Sequence, residues 1–283
     1  MPPRLVCVAI LLYWAIAALG LAKNDLLPEL SVGSPPDLRT IASAGDQNEP
    51  ALWSVQVIDN PANPEDRRSV GQAVTESHRG ADGWVQMSSR VTFDSGRLLK
   101  GTPLLNRSSE QVEFVSTYHV DASGNLQSFH AEVRSVSQPG ELWRIDGRLR
   151  GGSMEVVSQG PLPFLNRTIA FEYKPRGLVQ SQFGPLDRLP GLAVGQRWDE
   201  RIASPFSGQV ETVRAEVKRK AVIHWDRSPV TTLEVVHTSK ALAVRTWVRP
   251  DGLVLRQEIP TPLLKLVLER QPGRGAPREV EPR

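Results

Sequence analysis

The sequence predicts an all-β protein: a large curved antiparallel sheet or an incompletely closed barrel of about ten to twelve strands, preceded by one N-terminal apolar helix. Three observations lead to this prediction. Apolar and polar residues alternate with a period of two in many short runs, turn-forming residues separate these runs, and helical periodicity is scarce after Ala22. One face of each strand is polar, so the sheet is expected to curl around a single core or cavity.

The predicted strands follow one another along the chain with few interruptions. Alternation begins at Trp53 to Val57, and it recurs at residues 85–93, 112–120, 129–133, 169–173, 213–217, 221–225, 233–237, 244–248, 253–255 and 264–268. Residues 121–125 and Pro250-Asp251-Gly252 have turn compositions, and Gly252 is expected to adopt a positive φ with Trp247 packing the returning strand. A short helix is considered at Pro64 to Val74 or at Leu186 to Leu192.

Composition sets broad limits on function. The 283 residues include 34 Lys and Arg against 31 Asp and Glu, for a formal net charge of +3. Because basic residues are interleaved with acidic ones, no nucleic-acid partner is expected. The one cysteine, Cys7, excludes an internal disulfide, a thiolate zinc site and an iron–sulfur cluster within this chain.

The N-terminal residues predict export or anchoring. Leu5 to Ala22 is an uncharged apolar run preceded by Arg4. It fits a signal peptide cleaved after Ala22, and it also fits a membrane-spanning helix. We favour an uncleaved anchor because the run exceeds the usual apolar core of a signal peptide. Both interpretations place the body across the cytoplasmic membrane, in the cell envelope or periplasm, with the membrane as a partner if the segment is retained.

Four regions are predicted along the chain. Residues 1–23 form the signal peptide or anchor, 24–50 a flexible linker rich in Pro, Ser and Gly, 51–270 a single β domain, and 271–283 a disordered tail. Asn106 and Asn166 begin Asn-x-Ser/Thr triplets, which arise often by chance and support no prediction.

No catalytic motif is present in the sequence. It lacks a Gly-x-Ser-x-Gly elbow, a phosphate-binding glycine loop and a dinucleotide fingerprint. His119 and His130 flank the turn at 121–125, and we interpret them as a polar cross-strand pair in preference to metal ligands. Asp199 and Glu200 are adjacent, so on a strand they point to opposite faces, which predicts surface charge. We therefore expect no catalytic residue, no metal and no cofactor.

The tryptophans offer the one pocket hypothesis. Six of the seven follow residue 50, in a body with few tyrosines. They either fill a large β core or line a pocket for an apolar ligand. If a pocket exists, we take Trp198, Trp225 and Trp247 as its candidate ligand-binding residues.

Four short segments of the second half carry a family resemblance. They are LPGLAVGQRW at Leu189 to Trp198, Ser204-Pro-Phe206, Thr246 to Glu258, and Leu264 to Arg270. Residues 189–270 resemble bacterial envelope β domains, which are similar to outer-membrane lipoprotein carriers and to the β domains upstream of transglutaminase-like modules. The resemblance implies a curved, incompletely closed antiparallel barrel. It implies no transglutaminase activity, because the body contains no cysteine.

These observations predict a non-enzymatic exported or membrane-tethered envelope protein that binds an apolar ligand or a partner protein on its concave face. The alternative is a structural accessory subunit with a solid core and no ligand. The third hypothesis is an enzyme with a site assembled from loops, for which no motif speaks.

Overall fold

The protein folds as one large sheet that occupies most of the chain. The computed structural model describes residues 50–59, 66–98, 110–136, 141–161, 163, 166–173, 179–181, 184–204, 209–239, 243–260 and 264–273, together with Pro36 and Ile41. Within these ranges there are fifteen strands and one short helix.

The first eight strands form consecutive antiparallel neighbours that cross the first half of the chain. Their bounds, with those of the helix, are β1 (Ala51–Ile58), β2 (Arg67–Arg79), β3 (Val85–Asp94), α1 (Ser95–Leu98), β4 (Gln111–Val120), β5 (Leu126–Ser135), β6 (Glu141–Arg150), β7 (Ser153–Gln159) and β8 (Arg167–Glu172). The remaining strands are β9 (Val179–Ser181), β10 (Arg197–Ser204), β11 (Gln209–Trp225), β12 (Ser228–Thr238), β13 (Ala243–Val248), β14 (Val254–Pro260) and β15 (Lys265–Arg270).

Strand β1 joins the two halves of the sheet. It pairs with β2 on one side and with β15 on the other, so the strand order is β8-β7-β6-β5-β4-β3-β2-β1-β15-β14-β13-β12-β11-β10-β9. The pairing of β9 with β10 is parallel, and the other pairings of these strands are antiparallel. The order ends at β8 and β9, so the described sheet is not closed into a barrel.

The sheet curves around one main core. Alternate residues of strands from both halves, such as Trp53, Phe114, Met154 and Trp198, belong to a single buried cluster. Strands far apart in a flat sheet do not share a core, so the strands bend toward a common inner face. The predicted all-β, curved antiparallel fold is confirmed, with fifteen strands in place of ten to twelve.

The helix considered at residues 64–74 is wrong, because β2 occupies this region from Arg67 onward. The core-facing positions of β2 are Gly71, Ala73 and Thr75, which are too small to produce a visible hydrophobic alternation. No helix forms at 186–192 either, where the chain makes one isolated bridge between Arg188 and Leu253.

The two ends of the chain are only partly described. Ile41, inside the predicted linker, is 5% exposed and packs into the main core. The predicted signal or anchor at residues 5–22 lies outside the described residues, as do 274–283 of the predicted tail. In the part of the chain that the structure describes, no helix has the length and apolar character needed to span a bilayer.

Candidate functional site

A patch of small hydroxyl side chains lies on the inner face of β2, β3 and β4. Thr75, Ser89 and Ser116 face one another directly across the three strands. Ser77 occupies the next inward position of β2, in the row that continues through Met87 and Tyr118. Side chains in such cross-strand positions are roughly 5 Å apart at Cβ. Because serine is smaller than the Val and Phe that flank it, the sheet is recessed at this patch.

The segment 184–188 covers this recess. The segment is attached to the turn that precedes β14, since Leu189 N donates to the Gly252 carbonyl (2.7 Å) and Val254 N donates to the Asp187 carbonyl (3.1 Å). Gly252 has φ +88°, as the sequence predicted, and a Cβ there would lie 2.7 Å from Pro190 Cα. A glycine is therefore needed at this turn both for its conformation and for the close approach of the covering segment.

The covering segment and the sheet form a small, partly open inner pocket. Its volume is about 60 Å³, which holds roughly four to six atoms of the size of a water oxygen. Apolar side chains form one part of its wall and the hydroxyl patch forms another. The residues that border the pocket are Ile41, Thr75, Glu76, Ser77, Met87, Ser88, Ser89, Ser116, Tyr118, Gly184, Pro185, Leu186, Asp187 and Arg188.

Several polar atoms of the inner pocket are buried without a hydrogen-bond partner within the described residues. They are the Oγ atoms of Ser77, Ser89 and Ser116 and the Nε of Arg188. Ser89 is 5% exposed and Ser116 is fully buried. Thr75 differs, because its Oγ1 accepts a hydrogen bond from Trp53 Nε1 at 3.1 Å. A buried hydroxyl without a partner destabilises a fold by about 1–3 kcal/mol, so these groups need a hydrogen-bond partner that the described residues do not supply.

Charged groups surround the covering segment. Asp187 accepts a hydrogen bond from Arg270, and its Oδ2 lies 3.8 Å from Arg188 Nε. Asp251 is held by Arg249, whose guanidinium is the largest cause of the lowered pKa of Asp251. The Leu253 N–H and the charge of Arg188 lower this pKa further.

The structure places the three tryptophans predicted to line a pocket in two different clusters. Trp198 is 2% exposed and lies in the main core. Trp225 and Trp247 belong to a smaller second cluster with Ile223 and Leu255. Arg256 lies 5.9 Å from the centre of the Trp247 ring, and Trp225 Nε1 donates to the Arg270 carbonyl at 2.7 Å. None of the three borders the inner pocket, and their role as ligand contacts stays a prediction.

The prediction of surface charge at Asp199 and Glu200 is wrong for the second residue. The two side chains do point to opposite faces, but Glu200 is 3% exposed and faces the core. Its carboxylate lies 2.5 Å from His237 Nδ1 and accepts from Trp198 Nε1 at 3.2 Å. The carboxyl group is accommodated inside because His237, two strands away, supplies a polar partner that local sequence did not reveal.

His119 and His130, which flank the turn at 121–125, lie on the outer face. In the register of β4 and β5, His119 faces Ser128 and His130 faces Thr117, so the two are diagonal neighbours. His130 Nδ1 lies 2.9 Å from Asp146 Oδ1. Both histidines border an open groove of about 570 Å³ with Arg148 and Glu155. Among the described residues, no cluster of three or more His, Cys, Asp or Glu side chains is placed to bind a metal.

Sequence reasoning did not identify the residues of the inner pocket. Hydroxyl residues at inward positions weaken the apolar–polar alternation that predicts a strand. The sequence therefore gives no sign that the hydroxyl patch faces the core. Arg188 lies in a segment whose position depends on contacts with residues some sixty positions later. The resemblance segments at 189–198 and 246–258 are in contact through Leu189 and Gly252. A single sequence does not show this proximity, so it gave no signal for the pocket.

Comparisons with known proteins show a similar fold and no family. No protein-family model and no curated protein matches the chain. A solved β-barrel-like protein of the DUF1849 domain of unknown function from Brucella abortus is 10% identical, covers 78% of this chain and 94% of its own, and has a TM-score of 0.50. A DUF1089 family protein from Pseudomonas aeruginosa is 17% identical over 65% of this chain and 87% of its own, with a TM-score of 0.33, too low to support an argument.

At 10% identity the Brucella protein shows the fold alone. It confirms a barrel-like β architecture that is consistent with a bacterial β domain. The more specific likeness to outer-membrane lipoprotein carriers is not confirmed.

Proposed function

We propose that this protein is a non-enzymatic binding protein that holds a small, largely apolar ligand in the inner pocket beneath segment 184–188. The observation that carries the proposal is the hydroxyl patch: three buried serine hydroxyls without partners, next to the side chains of Met87 and Leu186. A pocket with an apolar wall and a few convergent polar groups is the usual form of a small-molecule site.

The dimensions of the pocket restrict the ligand. A volume of about 60 Å³ is below the roughly 300–1,000 Å³ of sites for drug-sized molecules. The proposal therefore narrows the apolar ligand predicted from the sequence to a short molecule, or to the end of a longer one that leaves through the open side. The presence of this pocket also argues against the alternative of a purely structural subunit with a solid core.

The non-enzymatic character is supported by the burial of the carboxylate–histidine pair in the main core. Glu200 and His237 have the close contact expected of such a pair, but their side chains are only 1% and 5% exposed. A dissolved substrate does not reach groups that are enclosed in this way.

The place of the protein is part of the proposal and depends on the N-terminal sequence. We propose that the apolar run from Leu5 to Ala22 exports the body across a bacterial cytoplasmic membrane and keeps it attached there. The inner pocket would then sample small molecules of the cell envelope.

Calorimetric titration of the full chain with 1-butanol tests the binding function. We expect saturable binding at one site. Ser89→Val, which fills the recess, should abolish it. Thr92→Val should not, because Thr92 lies on the outer face of the same strand and does not border the pocket. Absence of saturable binding, or equal binding by the two variants, would contradict the proposal.

A further inference from the structure

We infer that the inner pocket selects a short-chain carboxylate, or the carboxylate end of a longer acid, with the guanidinium of Arg188 and the serine hydroxyls as its receptors. This inference deepens the proposed function and rests on it. The class of ligand follows from the donors, the charge and the size of the site.

The unpartnered groups of the pocket are rich in donors. The Nε–H of Arg188 only donates, and the hydroxyls of Ser77, Ser89 and Ser116 can each donate one hydrogen bond. A carboxylate brings two oxygens with about four acceptor positions, so one such group can accept from the arginine and from hydroxyls at the same time. An alcohol offers a single oxygen, and an amine salt offers no acceptor.

The charge near the covering segment also favours an anion. Asp187 is shared by Arg188 and Arg270, so two guanidinium groups face one carboxylate. Asp251, the next acid toward Arg188, is bound by Arg249. Glu76 borders the pocket from an outward, exposed position of β2. Asp251 also interacts with the charge of Arg188, so three guanidinium groups and two carboxylates meet beside the covering segment. A carboxylate ligand would supply the third negative charge.

The rest of the wall requires an apolar part of the ligand. Ile41, Met87, Pro185 and Leu186 present hydrocarbon and thioether groups, which cannot satisfy a hydrated ion such as phosphate. The volume accommodates roughly four to six atoms, as in a carboxylate of three or four carbons in total, which has about five or six non-hydrogen atoms. Butyrate is therefore a suitable probe, and 1-butanol and 1-butylamine are its neutral and cationic analogues.

The test compares these three probes by calorimetric titration of the full chain at pH 7. We expect butyrate to bind at least about tenfold more tightly than 1-butanol, because a charge-assisted pair with arginine replaces a neutral hydrogen bond. We expect 1-butylamine not to bind. Arg188→Gln should weaken butyrate binding at least about tenfold and leave 1-butanol within about twofold, since glutamine keeps most of the side-chain volume.

A second variant tests whether the effect of Arg188→Gln comes from disturbing the covering segment and not from losing the guanidinium. Ser89→Ala removes one hydroxyl from the floor without touching the segment, and it should weaken butyrate binding by about threefold or more. Thr92→Ala, on the outer face of the same strand and outside the pocket wall, should have no effect.

The possible outcomes separate this inference from the proposed function. If 1-butanol binds as tightly as butyrate, or if Arg188→Gln and Ser89→Ala both leave butyrate binding unchanged, the carboxylate inference is overturned and the binding function stands. If inorganic phosphate displaces butyrate with equal affinity, the apolar part of the inference is overturned. If none of the probes binds, the proposed function itself fails.

Discussion

At the level of one residue, Ser116 supports the proposal that the inner pocket is a binding site. Its hydroxyl is fully buried and has no partner among the described residues, whereas Ser158, also buried on the inner face, accepts a hydrogen bond from Trp143 Nε1 at 3.2 Å. The Ser116 hydroxyl therefore adds no stability to the fold, whereas the Ser158 hydroxyl stabilises it through this hydrogen bond. A residue that costs stability and stays in a core is typical of a functional position.

This contrast predicts opposite effects of two identical substitutions. Ser116→Ala should leave the free energy of unfolding within about 0.5 kcal/mol of its original value or raise it, because an unsatisfied hydroxyl is removed. Ser158→Ala should lower it by about 1–2 kcal/mol, because the indole N–H of Trp143 loses its acceptor. Chemical denaturation of both variants measures the difference, and equal destabilisation by the two would show that Ser116 is an ordinary packing residue.

Glu200 is a second residue whose role depends on distant partners. Its carboxylate contacts His237 and Trp198 inside the main core. Glu200→Ala leaves both partners buried and unpaired, and we expect the free energy of unfolding to fall by about 3 kcal/mol. Asp199→Ala is the matched control, since Asp199 is 56% exposed and its loss should change stability by less than about 0.5 kcal/mol. Similar values for the two variants would contradict the structural role of Glu200.

At the level of elements, the turn before β14 and the segment 184–190 form one unit. The turn composition at Pro250-Asp251-Gly252 was sufficient to predict the turn and the positive φ of Gly252. The contact with Pro190 was not predictable, because it joins residues sixty positions apart and depends on which strands become neighbours. Local chemistry determined the turn, and the topology of the sheet determined what the turn supports.

The effect of the close contact between Gly252 and Pro190 on stability can be measured separately from the effect of the positive φ. Gly252 and Gly195 both have φ +88°, but a Cβ at Gly195 would meet nothing within 4 Å. Gly195→Ala should therefore cost only about 1–2 kcal/mol of backbone strain, and Gly252→Ala should cost at least about twice as much because Pro190 must move. Gly252→Ala should also increase proteolytic cleavage within the covering segment. Equal losses of stability would show that Pro190 adapts freely.

The same turn predicts a pH dependence. The pKa of Asp251 is lowered from its ordinary value of 3.8, first by the hydrogen bond from Arg249 and then by the Leu253 N–H. A lowered folded-state pKa means that the stabilisation is present above pH 3.8 and is lost as the pH falls through the folded-state value. The original chain should be more stable than Asp251→Asn at pH 6, and denaturation curves should converge toward pH 2. A gap that is constant with pH would contradict this account.

At the level of the whole molecule, binary patterning was enough to predict an antiparallel all-β fold but not where its cavity lies. Large apolar residues such as Trp53 and Phe114 alternate clearly with polar ones, and this pattern predicts core strands. Strand β2 carries Gly71, Ala73 and Thr75 inward, so its pattern looks irregular, although it forms part of the pocket floor. A cavity arises where core side chains are small, and small or polar side chains are the ones that hydrophobic periodicity does not detect.

Curvature explains why residues from both halves of the chain meet at the pocket. The floor comes from β2, β3 and β4, whereas the covering segment precedes β10 and is attached to the turn before β14. Because β1 pairs with β15, the second half of the sheet continues directly from the first and can bend over its inner face. The pocket is a consequence of this single, open sheet.

Methyl NMR of the full chain labelled with [methyl-¹³C]methionine tests the central claim most directly. The chain contains three methionines, of which Met87 borders the inner pocket and Met154 is fully buried in the core at β7. Titration with 1-butanol should shift the Met87 signal saturably and leave Met154 unchanged, and Ser89→Val should remove the shift. A Met87 signal that does not move, or that moves together with Met154, would contradict a ligand site beneath segment 184–188.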